Sequence, residues 1–257
     1  MHFSEWKFMN CQQGFPIVVG LGEFGQNLTM RLAGGGTLYV HDHNPHKIES
    51  AARVTRAVGL PSLRYPPQDC GAVILCPMSS PAEMGDTDNL LEGLRPGTLI
   101  IDMRSLDAAE CLAFHDAAVL RGLEYVETAV RGGAEAAALG ELTIAVGGTT
   151  ESFARARPWL EPVAALVVHS GDIGTGKCAL ELQNMMSAVS FATAHEVLNA
   201  SAGIQSAAMM NLMAASAMAL GADLRSKPDC LRAEFDSADA LGRAVQRLRT
   251  KRSGRRG

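Results

Sequence analysis

Apolar residues fall first in short runs and later in long helical stretches, and the change comes near residue 171. Before it, the runs alternate with segments of helical period, the mark of a parallel sheet covered by helices. The runs predict strands over residues 17–19, 38–41, 72–76, 98–102, 124–128, 142–146 and 166–169. Helical periodicity fits 26–33, 45–58, 81–94, 107–121 and 151–160. The stretch 59–71, GLPSLRYPPQDCG, is rich in proline and too short for a good helix, so one crossover is trimmed. Beyond GDIGTG no strand pattern remains, and helices are expected over about 177–202, 205–220 and 228–249. The reading is an α/β sheet domain over 1–170, an all-helical domain over 171–250 and a basic disordered tail over 251–257. A ligand cleft between two such domains is the default expectation.

Composition adds limits to this picture. At 257 residues and 47% hydrophobic content the chain can bury a sizeable core without staples. Its six cysteines are scattered, with no CxxC and no histidine at metal spacing, which fits reduced thiols in a cytoplasm and no bound metal. The first fourteen residues lack the basic and apolar regions of a signal peptide. From Val197 to Ala222 there is no charged residue, a length that would span a bilayer. Asn199, Ser201, Gln205, Ser206, Asn211 and Ser216 interrupt it, and alanine dominates, so closely packed buried helices are expected instead. A net charge of −4 gives no reason to expect nucleic acid. The end, KRSGRRG, is basic, and a frayed, solvated terminus accounts for it.

Against that background one stretch carries chemistry. FPIVVGLGEFG sets a strand directly before G-x-G-x-x-G, and residues Gly20, Leu21, Gly22, Glu23, Phe24 and Gly25 then read as a phosphate-binding turn. Gly20 allows the tight turn, Gly22 lets backbone approach a pyrophosphate, and Gly25 lets the following helix pack closely. The second strand ends at Asp42, about 20 residues beyond the first glycine, where a carboxylate grips a ribose diol. Together these give a Rossmann-type, mostly parallel sheet that holds a dinucleotide. A carboxylate repels a 2′-phosphate, so NAD is favoured; His43 beside it offsets that repulsion when protonated and keeps NADP open.

The order GLGEFG, Asp42, VILCP, PGTLIIDMRS, ETAVRGG, GELTIAVGG and GDIGTG resembles the β-hydroxyacid dehydrogenases, whose nicotinamide domain is of the 6-phosphogluconate dehydrogenase type. The resemblance covers about residues 15–205. It implies hydride transfer between NAD(P) and a small hydroxyacid, semialdehyde or related carbonyl or imine. It also implies that Cys76, Pro77 and Ser105 lie against the cofactor, and that a lysine on the long helix acts as acid or base.

This chain departs from the family at several points. The lysine position, four residues after Gly176, is Leu180; the asparagine one turn later, Asn184, is kept. Leucine cannot transfer a proton. Lys177, one turn before Leu180 on roughly the same face, is the better replacement, and Glu181 is rotated about 100° away. Arg131 stands where the family has serine, next to Gly132 and Gly133. It can clamp a substrate anion bidentately, block the pocket or turn to solvent. Arg104 replaces another small residue and has three destinations: the cofactor phosphates, a neighbouring carboxylate or solvent. The helical domain is shorter than in the family, and its uncharged helices call for a partner chain, a homodimer. No nucleic acid or membrane partner is expected. The alternative to an enzyme is a catalytically silent, dinucleotide-binding relative that serves as sensor or partner subunit.

Overall fold

The computed structural model describes residues 14–34, 36–77, 90–200 and 210–211. The expected helices over 205–220 and 228–249, the tail over 251–257 and most of the helix over 81–94 lie outside them. The chain divides into two compact units, Met1–Met185 and Met186–Gly257. The first holds β1 (Phe15–Val19), α1 (Glu23–Ala33), β2 (Tyr39–His41), α2 (Pro45–Thr55), β3 (Val58–Gly59), β4 (Cys70–Leu75) and β5 (Leu99–Asp102). It continues through α3 (Ala108–Val119), β6 (Glu124–Arg131), α4 (Gly133–Leu139), β7 (Leu142–Gly147), α5 (Thr150–Leu160) and β8 (Ala164–Gly171) into the long helix α6 (Thr175–Ala200).

One sheet contains all eight strands, in the order β3-β2-β1-β4-β5-β6-β7-β8. Every pairing is parallel except β6 with β7, which the short return through α4 makes possible: a turn of this length cannot cross over the sheet. The α/β class read from the sequence holds. The strand side chains alternate between two cores, as a sheet covered on both faces requires. Ile17, Val19, Val73, Leu75 and Ile100 face one core with Leu90 and Leu91. Val18, Ala72, Ile74, Leu99 and Ile101 face the other with Leu28 and Leu32 of α1 and Trp159 of α5. Because α1 covers one face and the chain after β4 the other, the β1–β4 boundary is a switch point, the crevice where ligands enter such sheets.

Two elements differ from the sequence reading. The helix expected to reach residue 58 stops at Thr55, because Arg56 adopts a left-handed φ of 60°. Val58 and Gly59 then pair with β2 as an added edge strand. The seven-residue α4 was not expected at all. It is set by Gly132 and Gly140, whose φ of 128° and 76° bracket an alanine-rich turn.

Helix α3 starts in a reciprocal cap. Asp107 accepts the Glu110 N–H at 2.8 Å while the Glu110 carboxylate accepts the Asp107 N–H at 2.8 Å. Asp107→Ala is expected to cost about 1 kcal/mol, a fall of roughly 2–4 °C in Tm, measured by thermal unfolding. Among the described residues no helix is long and apolar enough to cross a membrane.

Candidate functional site

The glycine turn behaves as its spacing demands. Gly20 has φ +91° and gives its N–H to the His41 carbonyl at 2.9 Å, tying the turn to the end of β2. A Cβ on Gly25 would overlap the Gly20 carbonyl oxygen and come within 3.4 Å of the Cys76 sulfur, so α1 sits directly on the turn. Gly22 is different: a Cβ there would meet nothing within 4 Å. It is the N-cap of α1, and no side chain caps that end. An open backbone at an uncapped, eleven-residue helix fits an anionic diphosphate, whose charge the helix start favours. These residues therefore fit a dinucleotide.

Asp42 is more deeply engaged than its role as a ribose acceptor implies. Its Oδ2 accepts the Leu21 N–H at 2.7 Å and its Oδ1 the Asn44 N–H at 2.9 Å. Lys47 and His43 approach the same oxygens at 3.5 and 3.3 Å, and the carboxylate has no exposure. It braces the glycine turn, beneath the partly exposed Lys47 ammonium and His43 imidazole. Asp42→Asn puts an amide donor against one of those N–H groups. We expect about a tenfold weaker NAD Kd, about 1.4 kcal/mol, with a smaller loss for NADP, read by fluorescence titration of NADH and NADPH.

Next along the carboxyl edge come the ends of β4 and β5. Cys76 is buried, its thiol pushed up to about 12 by burial, and its N–H is given to the Val19 carbonyl. Pro77 is half-buried and Ser105 exposed beside the edge. Arg104 resolves its three destinations by taking the neighbouring carboxylate. Its Nε donates to Asp102 Oδ1 at 2.9 Å and its Nη2 to Oδ2 at 2.6 Å, while its guanidinium lies 4.3 Å over the Phe114 ring. Tyr125 donates to the same Oδ2 at 3.1 Å. Burial alone lowers the Arg104 pKa, but hydrogen bonding and attraction to Asp102 outweigh it and leave it raised. A planar, delocalised cation with a bidentate partner can be buried in this way. Arg104 is thus built into the floor, with 4% exposure, and points neither to phosphates nor to solvent.

The first turn of α6 closes this edge. Lys177 is half-buried, and its Nζ donates to the Arg104 carbonyl at 2.7 Å and the Thr128 carbonyl at 2.6 Å. It links the loop after β5 to the middle of β6. Leu180 is half-buried and Asn184 exposed, seven residues from Lys177 and so on nearly the same helix face. Glu181 is exposed. Arg131, Gly132 and Gly133 are all exposed at the end of β6, where that strand runs past its pairing with β5. The structure thus groups Lys177 with the Arg104–Ser105 loop and β6.

Glu127 escaped the sequence reading. It lies on β6 with no exposure, and its Oε1 accepts the Gly176 N–H at 2.7 Å. An acid inside the apolar run EYVETAV was the available signal, since a buried charge needs a partner and marks a site worth inspecting.

Residues 17–171 match the family model described as the NAD binding domain of 6-phosphogluconate dehydrogenase. Among curated relatives, a "Probable 3-hydroxyisobutyrate dehydrogenase" of Mycobacterium tuberculosis is 31% identical over 175 residues, covering 66% of this chain and 58% of that protein. An NAD-dependent L-serine dehydrogenase of Pseudomonas aeruginosa is 34% identical over 178 residues, again 66% of this chain and 58% of the relative. The chain therefore spans less than two thirds of the length of these relatives. Among solved structures, the 3-hydroxyisobutyrate dehydrogenase of Mycobacterium tuberculosis with L-serine superposes with a TM-score of 0.68 at 26% identity. That match covers 78% of this chain and 70% of the other.

Proposed function

The chain belongs to the family defined by the NAD-binding domain of 6-phosphogluconate dehydrogenase, and from that premise we propose that it is an NAD(P)-dependent oxidoreductase. Its substrates in this reading are a small anionic hydroxyacid, semialdehyde or related carbonyl or imine. The bound nicotinamide supplies or accepts the hydride. The chain's own residues do the rest. The Gly20–Gly25 turn holds the diphosphate and Asp42 the adenosine ribose, once His43 and Lys47 swing aside. Cys76, Pro77 and Ser105 border the cofactor. Arg131, with the Gly132 and Gly133 backbone, binds the substrate anion, and Asn184 orients its reacting oxygen. Lys177 holds a proton at that oxygen and stabilises the negative charge that gathers there.

The observation that carries this reading is the Lys177 ammonium, held by two carbonyls at 2.7 and 2.6 Å beside the loop that carries Ser105. An ammonium has three N–H groups, so two bonds fix its place and leave one for a ligand. The same observation, with Leu180 in the family's lysine position, also suits the silent relative, in which Lys177 only ties α6 to the sheet. Hydroxyacids, semialdehydes, ketones and imines screened against both nicotinamide cofactors, beside a binding titration, separate the two. Robust NADH or NADPH turnover supports the enzyme; tight binding without turnover on any compound supports the silent relative.

We further propose a homodimer formed through the C-terminal helices and residence in the cytoplasm. Leu182, Met185, Met186, Val189 and Phe191 of α6 are all exposed, which a second copy would cover. The described cysteines, Cys70, Cys76, Cys111 and Cys178, are all free thiols.

A further inference from the structure

Glu127 makes one well-formed hydrogen bond where a carboxylate can make several, the Lys177 and Gly174 N–H groups lying near it without closing a second. While Oε1 takes the Gly176 N–H, Oε2 has no hydrogen-bond partner, and the side chain is fully enclosed. The backbone around it is shaped to admit it. A Cβ on Gly176 would come within 2.8 Å of Oε1, and one on Gly147 would overlap it. Two glycines, one on β7 and one on α6, thus leave room for this one acid. A buried, half-satisfied carboxylate is costly, and such a group calls for an explanation.

The explanation lies in how it meets Lys177. Gly176, one residue before Lys177, donates to Glu127, and Lys177 donates to the carbonyl of Thr128, one residue after Glu127. Residues 127–128 and 176–177 therefore form a double clasp between β6 and α6. Burial pushes the Glu127 carboxyl above its usual range, while the Gly176 N–H, the Lys177 charge and the Lys177 and Gly174 N–H groups pull it back. The other groups around this pair bring little free charge. Cys111 of α3 is a thiol pushed up to about 11 by burial. Asp102 of β5 is bound by Arg104 and Tyr125. Asp172, before α6, is exposed. On β7, Gly147 brings no ionisable group.

We propose that Glu127 is a positioning residue: Oε1 seats the first turn of α6, and its buried carboxylate is the negative charge behind the Lys177 ammonium that the Arg104 and Thr128 carbonyls hold. Its consequence for turnover rests on the role given to Lys177 above, whereas the clasp itself does not.

The test is an NMR titration of the Glu127 carboxyl in the full chain, with glutamate labelled at Cδ, the signal assigned from Glu127→Gln and no dinucleotide added. Lys177→Met keeps a stem of similar length and removes the charge. A positive neighbour favours the ionised carboxylate, so its loss moves the Glu127 midpoint to higher pH, by about one unit or tenfold in proton affinity. Lys177→Arg keeps the charge and returns the midpoint towards the parent value. A purely structural acid predicts the same Glu127 midpoint in the Met variant as in the parent, and that result overturns the proposal. If Lys177→Met does not fold, Lys177→Gln carries the same measurement, and an unmoved midpoint there overturns the proposal as well. Turnover tells the two readings apart. Full activity in Lys177→Met, with the Glu127 midpoint shifted as expected, removes Lys177 from the chemistry and leaves the clasp standing.

Discussion

Lys177→Met is expected to lower kcat/KM by about 10²–10⁴-fold, the range of a positioned acid or base, with dinucleotide Kd changed by no more than about threefold. The ammonium is half-buried and fixed by the Arg104 and Thr128 carbonyls, so it needs no reorganisation when charge builds on a nearby oxygen. Methionine has a similar stem and no proton. It also leaves the two carbonyls without their donor, at about 1–3 kcal/mol of stability, so thermal unfolding must accompany the kinetics. Lys177→Arg retains the charge and the donors and separates the effects. If its stability recovers while turnover stays low, the lysine itself is required. If turnover in all variants simply follows the folded fraction, Lys177 is structural.

Gly25→Ala and Gly22→Ala form the second test, because the same change has opposite structural meanings at the two positions. At Gly25 the new methyl overlaps the Gly20 carbonyl oxygen, a backbone atom that cannot rotate away. The turn must open, at about 3 kcal/mol or more, which lowers Tm by roughly 6–12 °C and removes dinucleotide binding. At Gly22 the methyl meets nothing within 4 Å. The fold should melt within about 2 °C of the parent, yet NADH should bind about tenfold or more weakly, because the methyl occupies the path by which a diphosphate approaches the backbone. Calorimetric titration beside thermal unfolding reads both. Equal binding by Gly22→Ala and the parent would mean that the turn holds no dinucleotide.

The sheet and its glycine turn were legible because each depends on local rules. Short apolar runs report strands buried on both faces, and Gly20, Gly22 and Gly25 occupy positions where a side chain has a definite steric consequence. The strand β3 was not legible, since two residues carry no periodicity and its existence depends on Arg56 ending α2 in a left-handed conformation. Helix α4 offers only an alanine-rich heptapeptide without a side-chain cap. The site residues divide in the same way. Lys177 could be singled out from helix spacing, but its two carbonyl partners come from β6 and from the loop after β5. Arg104 reads as a loop residue until Asp102 and Phe114 are seen to enclose it. Glu127 is defined by two glycines, 20 and 49 positions further along the chain, whose missing side chains make its space. Long-range enclosure of a polar group leaves no trace in local pattern, whereas backbone turns do.

The proposed chemistry requires Lys177 to reach the substrate oxygen that the family's usual lysine would serve. A structure of the full chain with NAD+ and a hydroxyacid from the screen tests this most directly. The account predicts the Lys177 Nζ within about 3 Å of the substrate hydroxyl, the reach of a proton donor, with the diphosphate over Gly22. A Lys177 that keeps only its Arg104 and Thr128 carbonyls while the substrate oxygen lies elsewhere would contradict it.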